Sequence, residues 1–348
     1  MSVAGAPAAD ERLAPTTLLR RLLVRPEFAA VIGAVVVYAF FWWQAGSLFA
    51  SKVGAANWLD PASTLGIGAV AVALLMIGGE FDLSAGVMTG SAGLLTGMLT
   101  TELGWNIWPA IAAALAFALV VGFFNGLAVV KTGLPSFIVT LGTLLALQGA
   151  NLGVTKLVTG TVQVRGIAHA GGYDSAHALF ASTVKVLGTP FQVSILWWLA
   201  VTVLASWVLL RTRVGNWIFS VGGAAPAARS VGVPVARTKI GLFMTTAAAA
   251  WLVGITAAVR FTSVQAGAGF GQEFEFIIAA VIGGCLLSGG YGTAVGAAVG
   301  ALIYGMTKQG IVYAQWDNDW FKLFLGAMLL FATLANNLVR KWAEEARK

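Results

Sequence analysis

Long apolar segments alternate with short polar ones along almost the whole chain. The apolar segments have no regular polar face, which is typical of helices that cross a lipid bilayer. We predict ten of them, at about residues 28–46, 62–77, 85–99, 110–130, 137–154, 191–210, 240–259, 276–287, 294–308 and 320–339. Several are shorter than the roughly 20 residues that a straight helix needs to cross. We expect these to be tilted or broken helices packed inside the protein.

Composition indicates the class of protein to which this pattern belongs. Of the 348 residues, 58% are hydrophobic and only 10% are charged, whereas soluble domains carry about 25% charged residues. Because the chain has too few polar residues to cover a water-facing surface, we predict an all-α, polytopic transmembrane helix bundle. The net charge of +7 does not indicate nucleic-acid binding, since the charges cluster at the ends of the apolar segments. The single cysteine, Cys285, lies in an apolar run and is predicted to be a packing residue.

The distribution of lysine and arginine predicts the orientation in the membrane. If the N-terminus is cytoplasmic, the inner segments contain 14 of the 21 basic residues and the outer segments contain 7. Because basic residues favour the cytoplasmic side, we expect both termini there and an even number of spans. The chain then divides into a cytoplasmic N-terminal segment (1–27), a transmembrane domain (28–339) and a cytoplasmic tail (340–348).

The segment 211–239 is predicted to be a cytoplasmic loop, because it contains five basic residues and no acidic one: Arg211, Arg213, Arg229, Arg237 and Lys239. Gly222 and Gly223 interrupt it, residues 224–231 predict a short helix, and Gly232 suits a left-handed position after that helix. A short helix with small side chains outside the bilayer would suit contact with a partner protein. The alternative is an ordinary basic loop that only fixes orientation, which composition alone favours.

Two stretches within the apolar part of the chain carry carboxylates. Glu80 and Asp82 lie in GGEFDLSAG, between two apolar segments. Carboxylates so close to hydrocarbon need water or a polar partner, so the stretch is a solute contact, a gate, or a solvated turn in which Ser84 caps the next helix. The second stretch, 265–293, contains Glu273, a second glutamate and many glycines. It predicts irregular backbone that lines a cavity. For each stretch, a functional and a structural role have equal weight.

Glycines recur at helical spacing in two of the apolar segments. One set is Gly86, Gly90, Gly93 and Gly97, and the other is Gly292, Gly296 and Gly300. Each set falls on one face of its predicted helix, and small residues on one face let helix backbones approach closely in lipid. These faces indicate a polytopic bundle and no particular function.

The chain contains no recognisable pattern for catalysis or metal binding. The stretch GALIYGMTK, residues 300–308, lacks the Gly-Lys-Ser/Thr order of a phosphate-binding loop and lies inside an apolar segment. His169, Asp174 and His177 lack the spacing of a standard metal site and are interpreted as solvated loop residues. We therefore expect a protein without enzymatic activity, cofactor or metal.

Four motifs between about residues 60 and 340 occur in the order found in one family of transporters. They are GGEFDLSAG (matching at Gly79, Asp82, Leu83, Ser84 and Gly86), LPSFIVTLGT (134–143), RVGNWIFSVGGAAPAARSVGV (matching at Gly215, Gly222, Gly223, Ala227, Ala228, Arg229 and Gly232) and FIIAAVIGGCLLSGGYGT (276–293). With these motifs the chain resembles the permease subunits of bacterial ABC importers for ribose, xylose and related sugars. One departure is Ala224, where the family commonly has asparagine.

The resemblance implies a transport mechanism that needs several partners. Two permease copies would form the pathway in the lipid of the membrane, a separate cytoplasmic ATPase pair would dock on the 224–231 helix, and a periplasmic or extracellular sugar-binding protein would deliver the solute. No nucleic acid is involved. The expected ATPase-coupling residues are Gly222, Gly223, Ala227, Ala228, Arg229 and Gly232. The expected pathway residues are Phe81, Asp82, Ser84, Phe137, Thr140, Phe270 and Glu273.

Two other classes of membrane protein remain as alternatives. An ion-coupled secondary transporter usually needs acidic residues or unwound helices inside the membrane, and the candidates for this are Glu80, Asp82, Glu273 and Glu275. A membrane enzyme would need a catalytic cluster, for which the sequence offers no candidate. Within the importer class, a nucleoside or another polar solute remains an alternative to a monosaccharide.

Overall fold

The structure is a computed structural model that describes the backbone of residues 26–345 and the side chains of residues 27–334. The described helices are α1 (Pro26–Ala45), α2 (Ser47–Ala50), α3 (Lys52–Ile77), α4 (Ser84–Thr101), α5 (Ile107–Thr132), α6 (Ser136–Thr159), α7 (Tyr173–Phe180), α8 (Ser194–Arg211), α9 (Arg213–Ser230), α10 (Val235–Phe261), α11 (Gln272–Ile282), α12 (Ala294–Tyr313) and α13 (Trp320–Glu345). The predicted N-terminal segment 1–27 lies almost entirely outside these residues, and the predicted tail 340–348 extends beyond them.

Seven of the described helices are long and apolar enough to cross a membrane: α1, α3, α5, α6, α8, α10 and α12. A shorter apolar stretch, Trp320–Leu334, belongs to α13. The prediction of a polytopic helical membrane protein is therefore confirmed. The other two segments counted as spans correspond to α4, which has 18 residues, and to α11, which has 11. The number of ten spans stays a prediction.

Four short strands accompany the helices. Strand β1 (Gln163–Arg165) pairs antiparallel with β4 (Ser263–Gln265), and Val164 faces Val264 in this register. Strands β2 (Thr183–Val186) and β3 (Thr189–Gln192) form a hairpin. The all-α prediction missed these strands because each has only three or four residues. The pair β1–β4 joins the chain that follows α6 to the chain that follows α10.

Most helices begin or end a few residues away from the predicted bounds, and two of them, α3 and α11, show what the sequence missed. Helix α3 begins ten residues earlier than expected, at Lys52, because its polar first half is helical and carries Pro61 internally. Helix α11 begins at Gln272 and ends at Ile282, four and five residues earlier than the predicted segment 276–287 begins and ends. Both starts were missed because helical residues outside the apolar runs carry no hydrophobic signal. The end of α11 was missed because the apolar run continues past Ile282, where the helix ends.

Helix α3 forms the centre of the bundle, since almost every residue from Ala62 to Ile77 is buried. It packs against α8, α10, α11 and α12. The glycine face of α4 lies against β4 and the chain after it, where a Cβ on Gly90 would overlap the carbonyl oxygen of Ala268. The glycine face of α12 lies against α11, where a Cβ on Gly300 would overlap the carbonyl of Ala279. The close packing expected from glycine spacing is confirmed, and at α4 much of it is against a non-helical segment.

Candidate functional site at a junction of three double glycines

The first double glycine ends helix α3. Gly78 keeps helical backbone angles and Gly79 has a φ of 82°. The Gly79 N–H donates to the Met76 carbonyl (2.9 Å), and the Glu80 N–H donates to the Leu75 carbonyl (3.1 Å). Glycine adopts this left-handed angle without strain, and the two bonds satisfy carbonyls that the helix end would otherwise leave free. An irregular segment, which we call the first break (residues 78–83), then leads to α4.

The second double glycine ends helix α11 with the same backbone pattern. Gly283 has φ and ψ of −71° and 0°, against −70° and −1° at Gly78. Gly284 has a φ of 93°, and its N–H donates to the Val281 carbonyl (2.9 Å). Residues 283–293, which we call the second break, then connect α11 to α12. The predicted irregular backbone in 265–293 is therefore present on both sides of α11.

The third double glycine begins at Gly222 in α9, and it touches both breaks. A Cβ on Gly222 would overlap the carbonyl oxygen of Ile77 and would lie 2.7 Å from the nitrogen of Gly290. A Cβ on Gly289 would lie 2.7 Å from the Cα of Gly79. The Gly290 N–H donates to the Ile77 carbonyl at 2.8 Å. Three backbones therefore meet without side chains between them, and we call Gly79, Gly222, Gly289 and Gly290 the glycine junction.

Helix α9 bends immediately after the junction. Ala224 has non-helical backbone angles (φ −158°, ψ 84°), and a short helical segment continues from there to Ser230. Gly232 has a φ of 84°. The structure thus contains the predicted short helix and the left-handed glycine after it. The predicted loop 211–239 is mostly helical, because α9 and the start of α10 occupy it.

The side chains of this short segment face two ways. Ala228 is 4% exposed and packs with Val221 and Val235, whereas Ala227 and Arg229 are exposed. The prediction that Ala228 contacts a partner therefore needs correction, because its methyl group lies in the small core that holds the segment against the bundle. The surface open to a partner includes Ala227 and Arg229.

The first break contains a buried polar network. Asp82 is 2% exposed, and its Oδ1 accepts hydrogen bonds from the backbone N–H (2.8 Å) and the hydroxyl (2.6 Å) of Ser84. The Asp82 side chain therefore satisfies the first N–H of α4 from the position before the N-cap residue Leu83. The interpretation of Ser84 as the capping residue is wrong, because Ser84 is the first residue of the helix. Asn125 donates to the Ser84 hydroxyl (2.9 Å), and Thr143 donates to Asn125 (2.6 Å). Sequence reasoning missed Asn125, although a lone amide in the apolar run of α5 was a signal, since buried amides need partners.

The first turns of α6 hold the first break in place. The Ser136 hydroxyl accepts from the Phe81 N–H, and the Thr140 hydroxyl accepts from the Leu83 N–H, both at 3.0 Å. These bonds give a physical reason for the motif LPSFIVTLGT, which supplies both hydroxyls. Phe137 lies between them in sequence but is 50% exposed, so it faces away from the break.

An ion pair links the first break to α10. The ammonium group of Lys239 donates to Glu80, whose whole residue is only 6% exposed. Lys239 is the fifth residue of α10 and follows the short segment of α9 in the chain. Sequence analysis used Lys239 only to assign orientation, because nothing in the local sequence connects it to a residue 159 positions earlier.

The chain before α11 approaches α4 from another side. Glu273 is 1% exposed, its Oε2 accepts from the Gly271 N–H (3.0 Å), and a Cβ on Gly86 would overlap that oxygen. Ser84 and Gly86 are about 200° apart around α4, so the Asp82 network and Glu273 flank the first turn of α4 from opposite sides. Phe270 is 57% exposed. The structure thus brings Asp82, Ser84 and Thr140 together, places Glu273 nearby, and leaves Phe137 and Phe270 outside the cluster.

A second polar cluster lies at the other end of α3. Arg260 forms two hydrogen bonds to the carboxylate of Asp60, at 2.6 and 2.9 Å. The Tyr304 hydroxyl donates to Glu275 (2.8 Å) and lies 3.4 Å from the ammonium group of Lys308. These five side chains line a cavity of about 230 Å³. Of these five, only Glu275 was named from the sequence, as a candidate for ion coupling. The other four were missed because each stands alone in an apolar or mixed sequence.

Of the two histidines, His177 is partly buried in α7 and His169 is exposed. The ring of His177 lies 5.7 Å from the ring of Tyr173, whose hydroxyl donates to the Val259 carbonyl at 2.9 Å. Within the part of the chain that the structure describes, no group of three His, Cys, Asp or Glu residues could hold a metal ion.

A family model described as the permease component of the branched-chain amino acid transport system matches residues 54–333. The chain belongs to this permease family. The match extends from α3 into α13 and includes the glycine junction, both breaks and the polar cavity at the other end of α3. All four motifs of the sequence analysis also lie within it.

Curated relatives cover most of this permease. The ribose import permease protein RbsC of Escherichia coli (strain K12) is 32% identical over 284 residues, which are 81% of this chain and 84% of the relative. The galactose/methyl galactoside import permease protein MglC of the same strain is 30% identical over 303 residues (83% and 88%). The xylose transport system permease protein XylH of that strain is 27% identical over 90% of this chain and 92% of the relative. No solved structure matches the chain significantly. The permease is a multi-pass protein of the inner membrane.

Proposed function

We propose that this permease is the membrane-spanning subunit of an ABC importer that carries a monosaccharide into the cytoplasm. The observation that carries the proposal is the glycine junction, because through Gly222 a helix at one end of the bundle touches both breaks in the membrane helices. Such a contact suits a transporter whose energy source binds outside the bundle. The relatives named for ribose, xylose and galactose favour a monosaccharide over a nucleoside or another polar solute.

The importer would contain several subunits. A separate pair of ATPase subunits would dock on the exposed side of the segment 225–230, and a sugar-binding protein would deliver the solute at the opposite end of the bundle. A second copy of the permease would complete the pathway. The exposed apolar side chains of α6, among them Ile138, Leu145 and Leu152, are available for lipid or for that second copy.

Movement of the segment 225–230 would reach both breaks through backbone contacts. Gly222 lies against Ile77 and Gly290 without a side chain to absorb a displacement, and packed contacts of this kind transmit rigid-body shifts. The ion pair between Lys239 and Glu80 adds a second connection, from α10 to the first break. Binding of ATP by the ATPase pair would thus change the position of both breaks together.

The residues expected in the pathway would have two different roles. Asp82, Ser84 and Thr140 are buried and bonded to one another or to the backbone, so we assign them the positioning of the first break. Glu273 is buried beside α4 and belongs with them. Phe81 is half-buried, and Phe137 and Phe270 are exposed, so that these rings are available to stack on a sugar.

Replacement of Asp82 tests the positioning role. In Asp82→Ala the N–H and hydroxyl of Ser84 lose their acceptor, which costs about 1–3 kcal/mol for a buried group. We expect uptake to fall at least about ten-fold while the protein still inserts in the membrane, as measured by transport in vesicles and by immunoblotting of the membrane fraction. Cys285→Ala, in the second break, is the control. Normal uptake by Asp82→Ala would reduce the network to a structural turn.

Orientation and coupling are tested together. Reporter fusions after Lys348 and at Ala225 should both report the cytoplasm if the chain crosses ten times with both termini inside. Arg229→Glu should release the ATPase in a pull-down and abolish ATP-dependent uptake of labelled ribose, xylose or galactose. Lys131→Glu, at an exposed basic position on α5, should retain both.

Three results would contradict these proposals. An external signal from either fusion overturns the orientation. Full ATPase binding and uptake by Arg229→Glu overturn the coupling role of the segment 225–230. Uptake that follows an ion gradient and needs no ATPase would identify a secondary transporter.

A further inference from the structure

An apolar groove opens between α8 and α10. Its floor is formed by α3, at Val70 and Leu74, and its volume is about 610 Å³. The α10 residues that line it extend from Arg237 to Leu252, which corresponds to about 22 Å along a helix. One leaflet of a bilayer has a hydrocarbon thickness of about 15 Å. The groove is therefore long enough to contact one lipid acyl chain over the full hydrocarbon thickness of its leaflet.

The walls of the groove offer almost no hydrogen-bonding groups. Its two threonines are satisfied within α10, because Thr238 donates to the Pro234 carbonyl (3.1 Å) and Thr245 donates to the Gly241 carbonyl (2.8 Å). A sugar or a file of water molecules would leave its own polar groups unpaired there. The chemistry of the walls selects a hydrocarbon chain.

One end of the groove is cationic. Arg237 and Trp217 line that end, and Arg211 and Arg213 are exposed beside it. Residues 208–241 contain no acidic side chain, and Glu80, the carboxylate that reaches this region from the first break, is paired with Lys239. Tryptophan is enriched at membrane interfaces, and basic pockets between helices on the cytoplasmic side suit anionic lipid headgroups.

We propose that this groove binds an anionic phospholipid, with one acyl chain between α8 and α10 and the headgroup phosphate held by Arg237. That the lipid comes from the cytoplasmic leaflet rests on the orientation in the proposed function. Residues of α9 and α10 line the groove. These two helices also carry Gly222 of the glycine junction and Lys239 of the ion pair. A bound lipid would therefore support the two elements through which the breaks are moved.

Two variants of the full-length permease distinguish binding of the lipid's acyl chain from binding of its headgroup. Gly241 lines the groove, and a Cβ there meets no protein atom within 4 Å, so Gly241→Leu is chosen to place a side chain in the groove. Arg237→Gln removes the cation and leaves the groove open. Gly153→Leu is the control for lipid binding, since its Cβ also meets no atom within 4 Å and it lies on α6, away from the groove.

The measurement is native mass spectrometry of the purified permease, without ATPase or sugar, from membranes with equal amounts of palmitoyl-oleoyl phosphatidylglycerol and phosphatidylethanolamine. The wild type and Gly153→Leu should retain phosphatidylglycerol preferentially, and Gly241→Leu should lose one bound lipid. Arg237→Gln should lower the preference about five-fold, which corresponds to about 1 kcal/mol for one basic residue near the membrane surface.

Each other outcome overturns the proposal. Unchanged lipid retention in both groove variants removes the groove as a lipid site. Equal loss of both lipids in Gly241→Leu, with no effect of Arg237→Gln, leaves a site without selection for anionic lipid. A smaller dimer fraction in Gly241→Leu with an unchanged lipid count assigns the groove to a second permease copy. Because no transport is measured, these failures are distinct from a failure of the proposed import function.

Discussion

The two breaks have the same backbone geometry and different chemistry. Each follows a helix that ends in Ile-Gly-Gly, with the second glycine left-handed and with equivalent hydrogen bonds back into the helix. The next residue is Glu80 in the first break and Cys285 in the second, and Cys285 is buried with 1% exposure. Similar geometry therefore serves one polar segment and one mostly apolar segment.

The difference lies in what holds each break. Side chains from two other helices fix the first one: Ser136 and Thr140 of α6 bond its backbone, and Lys239 of α10 pairs with Glu80. The second break is held by backbone contacts: Gly289 and Gly290 enter the junction, and the Gly290 N–H donates to the Ile77 carbonyl (2.8 Å). Within the break, the Leu286 N–H donates to the Tyr291 carbonyl (3.2 Å). We infer that the first break is anchored to the bundle and that the second follows the movement of α9.

Adding one methyl group at the junction should have the largest effect. In Gly222→Ala the new Cβ overlaps the carbonyl of Ile77 at a fixed helix end, so the three segments must separate. We expect a cost at or above about 3 kcal/mol, the upper end for overpacking, and loss of uptake. In Gly223→Ala the Cβ meets no atom within 4 Å, so stability should change by about 0.5 kcal/mol or less.

Thermal denaturation and vesicle uptake measure the two glycine variants. The junction requires them to differ, since the positions are adjacent and only the Cβ added at position 222 would meet the atoms of Ile77 and Gly290. Equal behaviour of Gly222→Ala and Gly223→Ala would show that the backbone contact does not transmit movement.

Removing the ion pair should have the next largest effect, and only on the anchored break. Lys239→Met leaves Glu80 buried without its partner, and breaking a buried pair costs about 3–5 kcal/mol. Because the Lys239 side chain is 21% exposed, we expect about 2–3 kcal/mol. The double variant Glu80→Gln/Lys239→Met should regain most of this stability, since no unpaired charge remains.

Chemical denaturation of the wild type, Glu80→Gln, Lys239→Met and the double variant gives the coupling energy between Glu80 and Lys239. If the effects of the two single variants simply add in the double variant, the pair does not hold the first break. Uptake by the double variant then shows whether anchoring is needed beyond stability.

The helices themselves were predictable because lipid forces a crossing segment to satisfy its backbone hydrogen bonds internally. Apolar runs therefore located the long helices, and glycine spacing located their close contacts. The first half of α3 was missed because it contains Asp60, a charged residue that a membrane helix does not accept without a partner. Its partner is Arg260, which lies 200 positions later in the chain. Pairing over such distances leaves no local pattern.

The site was predictable to a smaller extent. The motifs pointed to Asp82, Ser84, Thr140 and the segment 224–231, and the structure gives the first three of them contacts. The burial of Ala228 depends on Val221 and Val235, and the ion pair depends on how α10 packs. Neither follows from residue type, because both arise from the relative positions of separate helices.

Deleting one hydroxyl that holds the anchored break should have the smallest effect. In Thr140→Val the N–H of Leu83 loses its acceptor within a buried site, since Thr140 is fully buried and Leu83 is 4% exposed. An unsatisfied buried N–H costs about 1–3 kcal/mol, and some relaxation of the break toward Ser136 places the expected value near about 1 kcal/mol. Thr140→Ser keeps the hydroxyl and should preserve both the bond and the rate of uptake, apart from the lost methyl group. Thermal denaturation and uptake of the two variants are compared side by side. If Thr140→Val and Thr140→Ser have the same stability and transport, the Thr140 hydroxyl does not anchor the first break, and the contrast with the second break rests on Ser136 and Lys239.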